Sequence, residues 1–164
     1  MALPNKVLPG FSAVLYAQPT STPTPLTTAQ LSLVASVSPI AVSGNIIPVE
    51  AIPAFGMDDA VASFGVAGSR QSDKIPVQAA PTSLTITAAW NPADTNLLLM
   101  RADAYSGVID RTFVVSATDG TGIVYYAFNG RVGQFQIDSA PGAEAKATFT
   151  IHPRGNQYGW SNNA

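Results

Sequence analysis

Residues 124–151 read VYYAFNGRVGQFQIDSAPGAEAKATFTI, and they decide how the whole chain is read. A strand with one face in water alternates apolar and polar residues. Here Val124, Tyr126, Phe128 and Val132 fill one parity, while Ile123 and Tyr125, and then Phe135 and Ile137, fill the other. Both faces of such a strand need cover. Asn129-Gly130 has the composition of a hairpin turn. The parity nevertheless runs through it and breaks only near Gly133, which favours one long strand with a bulge there over a tight turn at Asn129. The SAPGA turn at 139–143 then returns the chain as EAKATFTIHP, with Ala147, Phe149 and Ile151 on a common face.

Working outward, RTFVVSAT (111–118) turns at Asp119-Gly120 into TGIVYYAF, a hairpin signal. Before it, WNPADTNLLLMRADAYSG predicts a helix of about four turns. Asn91 is its expected N-cap, Pro92 its first residue, Asp94 a first-turn carboxylate and Gly107 its end. TSLTITAAW (82–90) alternates Leu84, Ile86, Ala88 and Trp90 against Thr85 and Thr87, as a half-buried strand does. Nearer the start, FSAVLYA (11–17) reads as a first strand, and the proline-rich 18–28 run must leave the sheet because its prolines cannot donate to a ladder. LSLVASV (31–37) alternates again, and SGN at 43–45 marks a turn into IIPVEAI. Residues 53–81 read as a long irregular excursion with one short strand near 61–66.

The composition bounds the function. The chain has 164 residues, enough for one domain with a real core. Charged residues make up 11%, where a typical soluble domain carries roughly 25%. Surfaces that end against other subunits lose charge because desolvating it is costly, so the deficit points to assembly. No apolar run approaches the length of a spanning helix. The opening MALPNKVLPGF lacks the basic cluster and unbroken apolar segment of a secretory signal. With no cysteine there is no disulfide or thiolate chemistry, and eight dispersed basic residues against ten acidic ones make no phosphate-gripping patch.

Catalytic and metal constellations are wanting. His152 is the single histidine, so any serine relay depends on it alone. Asp58-Asp59 lacks the spacing of a calcium loop. Asp94 and Asp103 fall roughly 180° apart around a helix, reading as a cap and a solvated face. Gly65 and Gly68 lack the Lys and Ser/Thr of a phosphate loop. The expectation is no enzyme, no cofactor and no metal.

Residues 82–153 bring these features together in order: the Thr-rich strand TSLTITAAW, the helix opening WNPADTNLLLMRAD, the hairpin about Asp119-Gly120, YYAFNGRVGQFQID and SAPGAEAKATFTIHP. As a set they resemble the tail tube (major tail) proteins of long-tailed bacteriophages. The resemblance implies a mainly β fold, an antiparallel sandwich or barrel with one flanking helix and long loops. It implies one domain over 1–164, with an N-terminal arm at 1–10, long loops at 18–28 and 53–81, and a tail at 154–164.

It also implies a structural virion protein whose six copies join their sheets into a ring, with rings stacking into a hollow tube that passes DNA from capsid to cell. The implied partners are further copies, a tape measure protein, a tail terminator and tail-tip or baseplate proteins, with DNA crossing the lumen unbound and no membrane span. The implied location is the phage tail, after synthesis in the host cytoplasm. A conduit should repel DNA, which makes Asp58, Asp59, Asp73, Asp110 and Asp138 the candidates to face a lumen. Ile52, Phe55, Val61 and Phe64, on a segment with no obvious core, and Trp160 in the tail are the candidate inter-subunit contacts. The loops 18–28 and 53–81 are the expected inter-ring contacts. Two other readings stand beside this one: a carbohydrate-binding or adhesive β-sandwich, and a terminator or connector subunit that forms a single ring.

Overall fold

In the computed structural model, the residues described are 12–55, 57–65, 72–118, 122–154 and 159–163. The fold is mainly antiparallel β. Its strands are β1 (Ser12–Ala17), β2 (Ile46–Ile47), β3 (Met57–Gly65), β4 (Ser72–Pro81), β5 (Leu84–Ala89), β6 (Asp110–Thr118), β7 (Ile123–Asp138), β8 (Lys146–Pro153) and β9 (Gly159–Asn163). The helices are α1 (Thr28–Leu31), α2 (Val34–Val37) and α3 (Thr95–Ser106).

β7 organises the sheet. One of its edges pairs with β6, from Ile123↔Thr118 to Arg131↔Asp110. The other pairs with β9 along 123–127 and with β8 along 130–138. β8 and β9 therefore lie end to end on one side of β7, and the amide of Arg154 continues the ladder by donating to the Asn129 carbonyl at 2.8 Å. The full order is β2-β1-β6-β7-β8-β5 with β9 beside β7. The sheet curls until its ends meet. β2 pairs with β1, and the residues just after it reach β5 through a Val49↔Ala88 bridge and the bonds Glu50 N to Thr87 O (2.9 Å) and Ala89 N to Pro48 O (3.2 Å).

Curling creates an inside and an outside. Leu15, Ile47, Leu84, Ile86, Phe113, Val115, Phe128, Val132, Phe149 and Ile151 fill the interior, joined by Leu97 and Met100 from α3. The cover of the second face of β7 is equally plain. Tyr125 and Ala127 pack outward with Val114 against Leu31, Val37 and Ile40, so the α1–α2 segment lies over the outer face of β6 and β7. Residues 31–37, expected as a strand, instead hold the end of one single-turn helix and the whole of a second. Helices this short are not stable alone. Burial of Leu31 and Val37 holds them, and the amide of Thr27 donates to Gln30 Oε1 at 2.9 Å at the entry to α1.

The expected single strand through Asn129-Gly130 is present, and its register slips between Gly133 and Gln136. Gln134 takes φ 54° there, and the slip returns Phe135 to the interior cluster, stacked 5.8 Å from Phe149. Helix α3 starts three residues later than Asn91 predicts. Asp94 is the N-cap, accepting from the amides of Asn96 (2.9 Å) and Leu97 (3.2 Å), and Gly107 closes the helix at φ 66°. Asn96 then ties α3 to the barrel by donating to the carbonyls of Gly44 and Ile46, both at 2.9 Å.

Three further expectations change. Residues 53–81 are largely a long hairpin, β3 pairing with β4 from Met57↔Pro81 to Gly65↔Ser72 with a slip at Ala60/Val61, forming a two-stranded sheet of its own. Ser43–Asn45 is a 3-10 turn, not a hairpin turn, because β2 pairs with β1. The tail 154–164 contributes β9. The arm at 1–10, the turn Asp119-Gly120 and the glycine loop at 66–71 lie outside the described residues.

Candidate assembly site

Among the described residues no group of three or more acidic, His or Cys side chains could hold a metal, and no helix is long and apolar enough to cross a membrane. His152, exposed near the end of β8, has Nδ1 3.0 Å from Ser83 Oγ.

Ile52 and Phe55 do have a core. They are partly buried against the interior cluster, Phe55 meets Tyr126 edge to face at 5.3 Å, and the two line a cavity of about 450 Å³ with Ala13, Val115, Ala117 and Tyr126. Val61 and Phe64 lie on β3 opposite Pro76 and Asp73, and Trp160 lies on β9 opposite Tyr126. Val61 and Phe64 thus share one strand of the hairpin, while Trp160 belongs to the barrel sheet.

The acidic candidates divide likewise. Asp58, Asp59 and Asp73 all belong to the β3–β4 hairpin. Asp110 is already neutralised, with Arg131 Nε 2.9 Å and Arg154 Nε 3.7 Å from Oδ1. Asp138 is exposed at the end of β7, opposite Lys146 in register. Lys146 in turn pairs with Glu50 at 2.6 Å. The hydrogen bond and the charge of Glu50, helped by Glu144, hold this lysine above its ordinary pKa despite some opposing desolvation.

The loop at 18–27 is stitched to the barrel. Arg111 and Asp103 are both buried and meet through two bonds, Nε to Oδ2 (2.6 Å) and Nη2 to Oδ1 (3.0 Å). Arg111 Nη1 spends its donors on the carbonyls of Gln18 and Thr20. Thr112 Oγ1 accepts from the Leu26 amide (2.9 Å) and donates to Asn129 Oδ1 (2.7 Å), whose amide group donates back to the Leu26 carbonyl (2.7 Å). Asp103 was expected on a solvated helix face and is instead buried, because Arg111 needs a counter-charge where β6 passes under α3.

Sequence reasoning passed over one surface. Leu98, Arg101, Ala102 and Tyr105 follow the helical period along the outer face of α3 and are all exposed, Tyr105 by 76%, and Val108 just beyond is 69% exposed. Arg101 sits over the Tyr105 ring at 5.6 Å. Their spacing is visible in the sequence, but only the structure shows which stripe of the helix faces out.

No family model matches the sequence, and no curated protein matches it significantly. Solved structures do match. The sheath/tube terminator of an extracellular contractile injection system superposes with a TM-score of 0.63 at 13% identity, covering 99% of this chain and 100% of that one. The tube-terminating cap of the anti-feeding prophage gives 0.57 at 12%, covering 100% and 95%. The SPP1 tail tube gives 0.52 at 10%, covering 94% and 76%. The chain thus has the tail-tube type of fold. The solved examples with that fold are a tail tube and two proteins that terminate tubes.

Proposed function

We propose that this chain is a structural subunit of a phage-type tail, six copies closing into a ring and rings stacking into the hollow tube that conducts DNA from capsid to host cell. The observation that carries this reading is the likeness to tube and tube-ending subunits over 94–100% of the chain. The charge content of 11% supports it, since surfaces buried between copies shed charge. So do the exposed Tyr105 and Val108, which are unfavourable in water and gain by cover. A net charge of −2 suits a bore that must not hold phosphate. The role is structural rather than catalytic. Its partners are further copies of itself and, at the ends and in the lumen, terminator, tip or baseplate and tape measure proteins.

A second reading, a terminator that forms one ring without stacking, is favoured by the near-complete mutual coverage with the terminator and cap, against 76% of the SPP1 subunit. Negative-stain electron microscopy with light scattering across a concentration series separates the two. Tubes that lengthen with concentration support the tube subunit, and rings of constant size support the terminator. A strict monomer that captures glycans on an array overturns both in favour of an adhesive module.

A further inference from the structure

We infer that residues 3–8 dock into the mouth of their own barrel, over the apolar cavity beside Ala13. This goes beyond the assembly reading and does not depend on it. Protein interiors leave few voids larger than a water molecule. The end of the barrel where β1 begins departs from that rule. Ala13 and Ala117 face each other there in register, two small side chains where larger ones would fill the space. With Ile52, Phe55, Val115 and Tyr126 they line about 450 Å³. A cavity of about 150 Å³ is enough to hold benzene, so this one takes more than one apolar side chain. Its described lining is apolar apart from the Tyr126 hydroxyl and carries no charge, and Ala13 is exposed. The backbone beside it is open as well. β2 pairs with β1 only at Leu15 and Tyr16, which leaves the edge from Ser12 to Val14 without a second strand among the described residues.

The occupant follows from where the chain enters. Residues 1–11, MALPNKVLPGF, lead directly into Ser12 and so reach the barrel at this mouth. Leu8-Pro9-Gly10-Phe11 places proline and then glycine at the two central positions of a type II turn. A reversal there sends residues 3–8 back along the open edge of β1. Pro4 and Pro9 disfavour a helix in this segment, and Lys6 is its one charged side chain beside Leu3, Val7 and Leu8. An apolar, extended segment suits an uncharged cavity next to an unpaired strand edge. A segment tethered at the mouth also holds an effective concentration in the millimolar range, which the same segment of a second copy must match from solution.

The chain has no cysteine, so Ala13→Cys places a single thiol on the cavity wall. Its rate of reaction with a maleimide is measured in the otherwise intact chain, in a variant lacking residues 2–8, and in Leu3→Ser with Val7→Ser and Leu8→Ser, which keeps the arm and removes its apolar groups. The rate should be at least tenfold lower in the intact chain than in either variant, at every protein concentration. The free peptide MALPNKVLPGF should restore protection to the truncated protein. Protection that disappears on dilution, or that returns when the truncated protein is mixed with unaltered protein, overturns docking in the same chain in favour of a neighbour's arm. Equal rates in all three proteins overturn docking altogether, and anilinonaphthalene sulfonate binding to the intact chain alongside that result assigns the cavity to a small apolar ligand instead.

Discussion

Arg111 and Asp103 meet through paired hydrogen bonds of 2.6 and 3.0 Å with both side chains buried, joining the first residues of β6 to the last turn of α3. The guanidinium also holds the carbonyls of Gln18 and Thr20, the latter at φ 87°, a conformation a β-branched residue rarely takes. One buried cation thus fixes helix, strand and loop together.

Asp103→Asn removes the counter-charge and leaves Arg111 buried without it. Breaking a buried pair from one side costs about 3 to 5 kcal/mol. Urea unfolding should show that loss, and the double variant Asp103→Leu with Arg111→Met should recover part of it, because the desolvated charge goes too. Equal stability of Asp103→Asn and the parent would mean the charge is not desolvated.

Gly130 sits where β6, β7 and β8 run side by side. A Cβ there would lie 2.8 Å from Ile151 Cγ2 and 3.3 Å from the His152 carbonyl, whereas at Gly44 it meets nothing within 4 Å. Overpacking of this kind costs about 1 to 3 kcal/mol. Gly130→Ala should therefore lower the thermal midpoint clearly and Gly44→Ala should not, both read by circular dichroism melting.

Lys146 stays protonated to higher pH than an ordinary lysine because it donates to Glu50 and feels its charge. A folded-state pKa above the unfolded value means a contribution that is full below the unfolded pKa and fades as pH rises through the folded one. Titration of the lysine Cε resonances by NMR should show one side chain with a raised midpoint, and Glu50→Gln should bring it down. Both side chains are close to half exposed, so solvent screens the pair and stability near neutral pH should change little.

The part of the fold legible in sequence was the part governed by period. Leu84, Ile86 and Ala88 alternate cleanly into β5, and the parity of β7 survived Asn129-Gly130 because the ladder to β6 runs through both residues and the ladder to β8 begins at Gly130. The helix was legible too, but its start was misplaced. Asn91 and Asp94 are both good caps, and the choice fell to Asp94 as the chain leaves β5 and turns through Pro92 and Ala93.

What the sequence hid was decided by tertiary contact. LSLVASV alternates like a strand, yet Leu31 and Val37 are buried against the outer face of β6 and β7, and cover for that face outweighed local pattern. The hairpin was hidden by Pro76 and Pro81, which argue against strands in a full sheet but are tolerated in a two-stranded ribbon. Of the candidate contacts, Ile52 and Phe55 turn inward against the interior, Val61 and Phe64 fall on one strand of the hairpin, and the exposed helix stripe of Tyr105 and Arg101 was not singled out. Nothing in a list of residues says which side of a helix a barrel will claim.

The most direct measurement is cryo-electron microscopy of the purified protein at high concentration, classified for end-on views. The account predicts six-fold rings around an open bore, single or stacked. Isolated subunits at every concentration, with no symmetric ring among the classes, would contradict it.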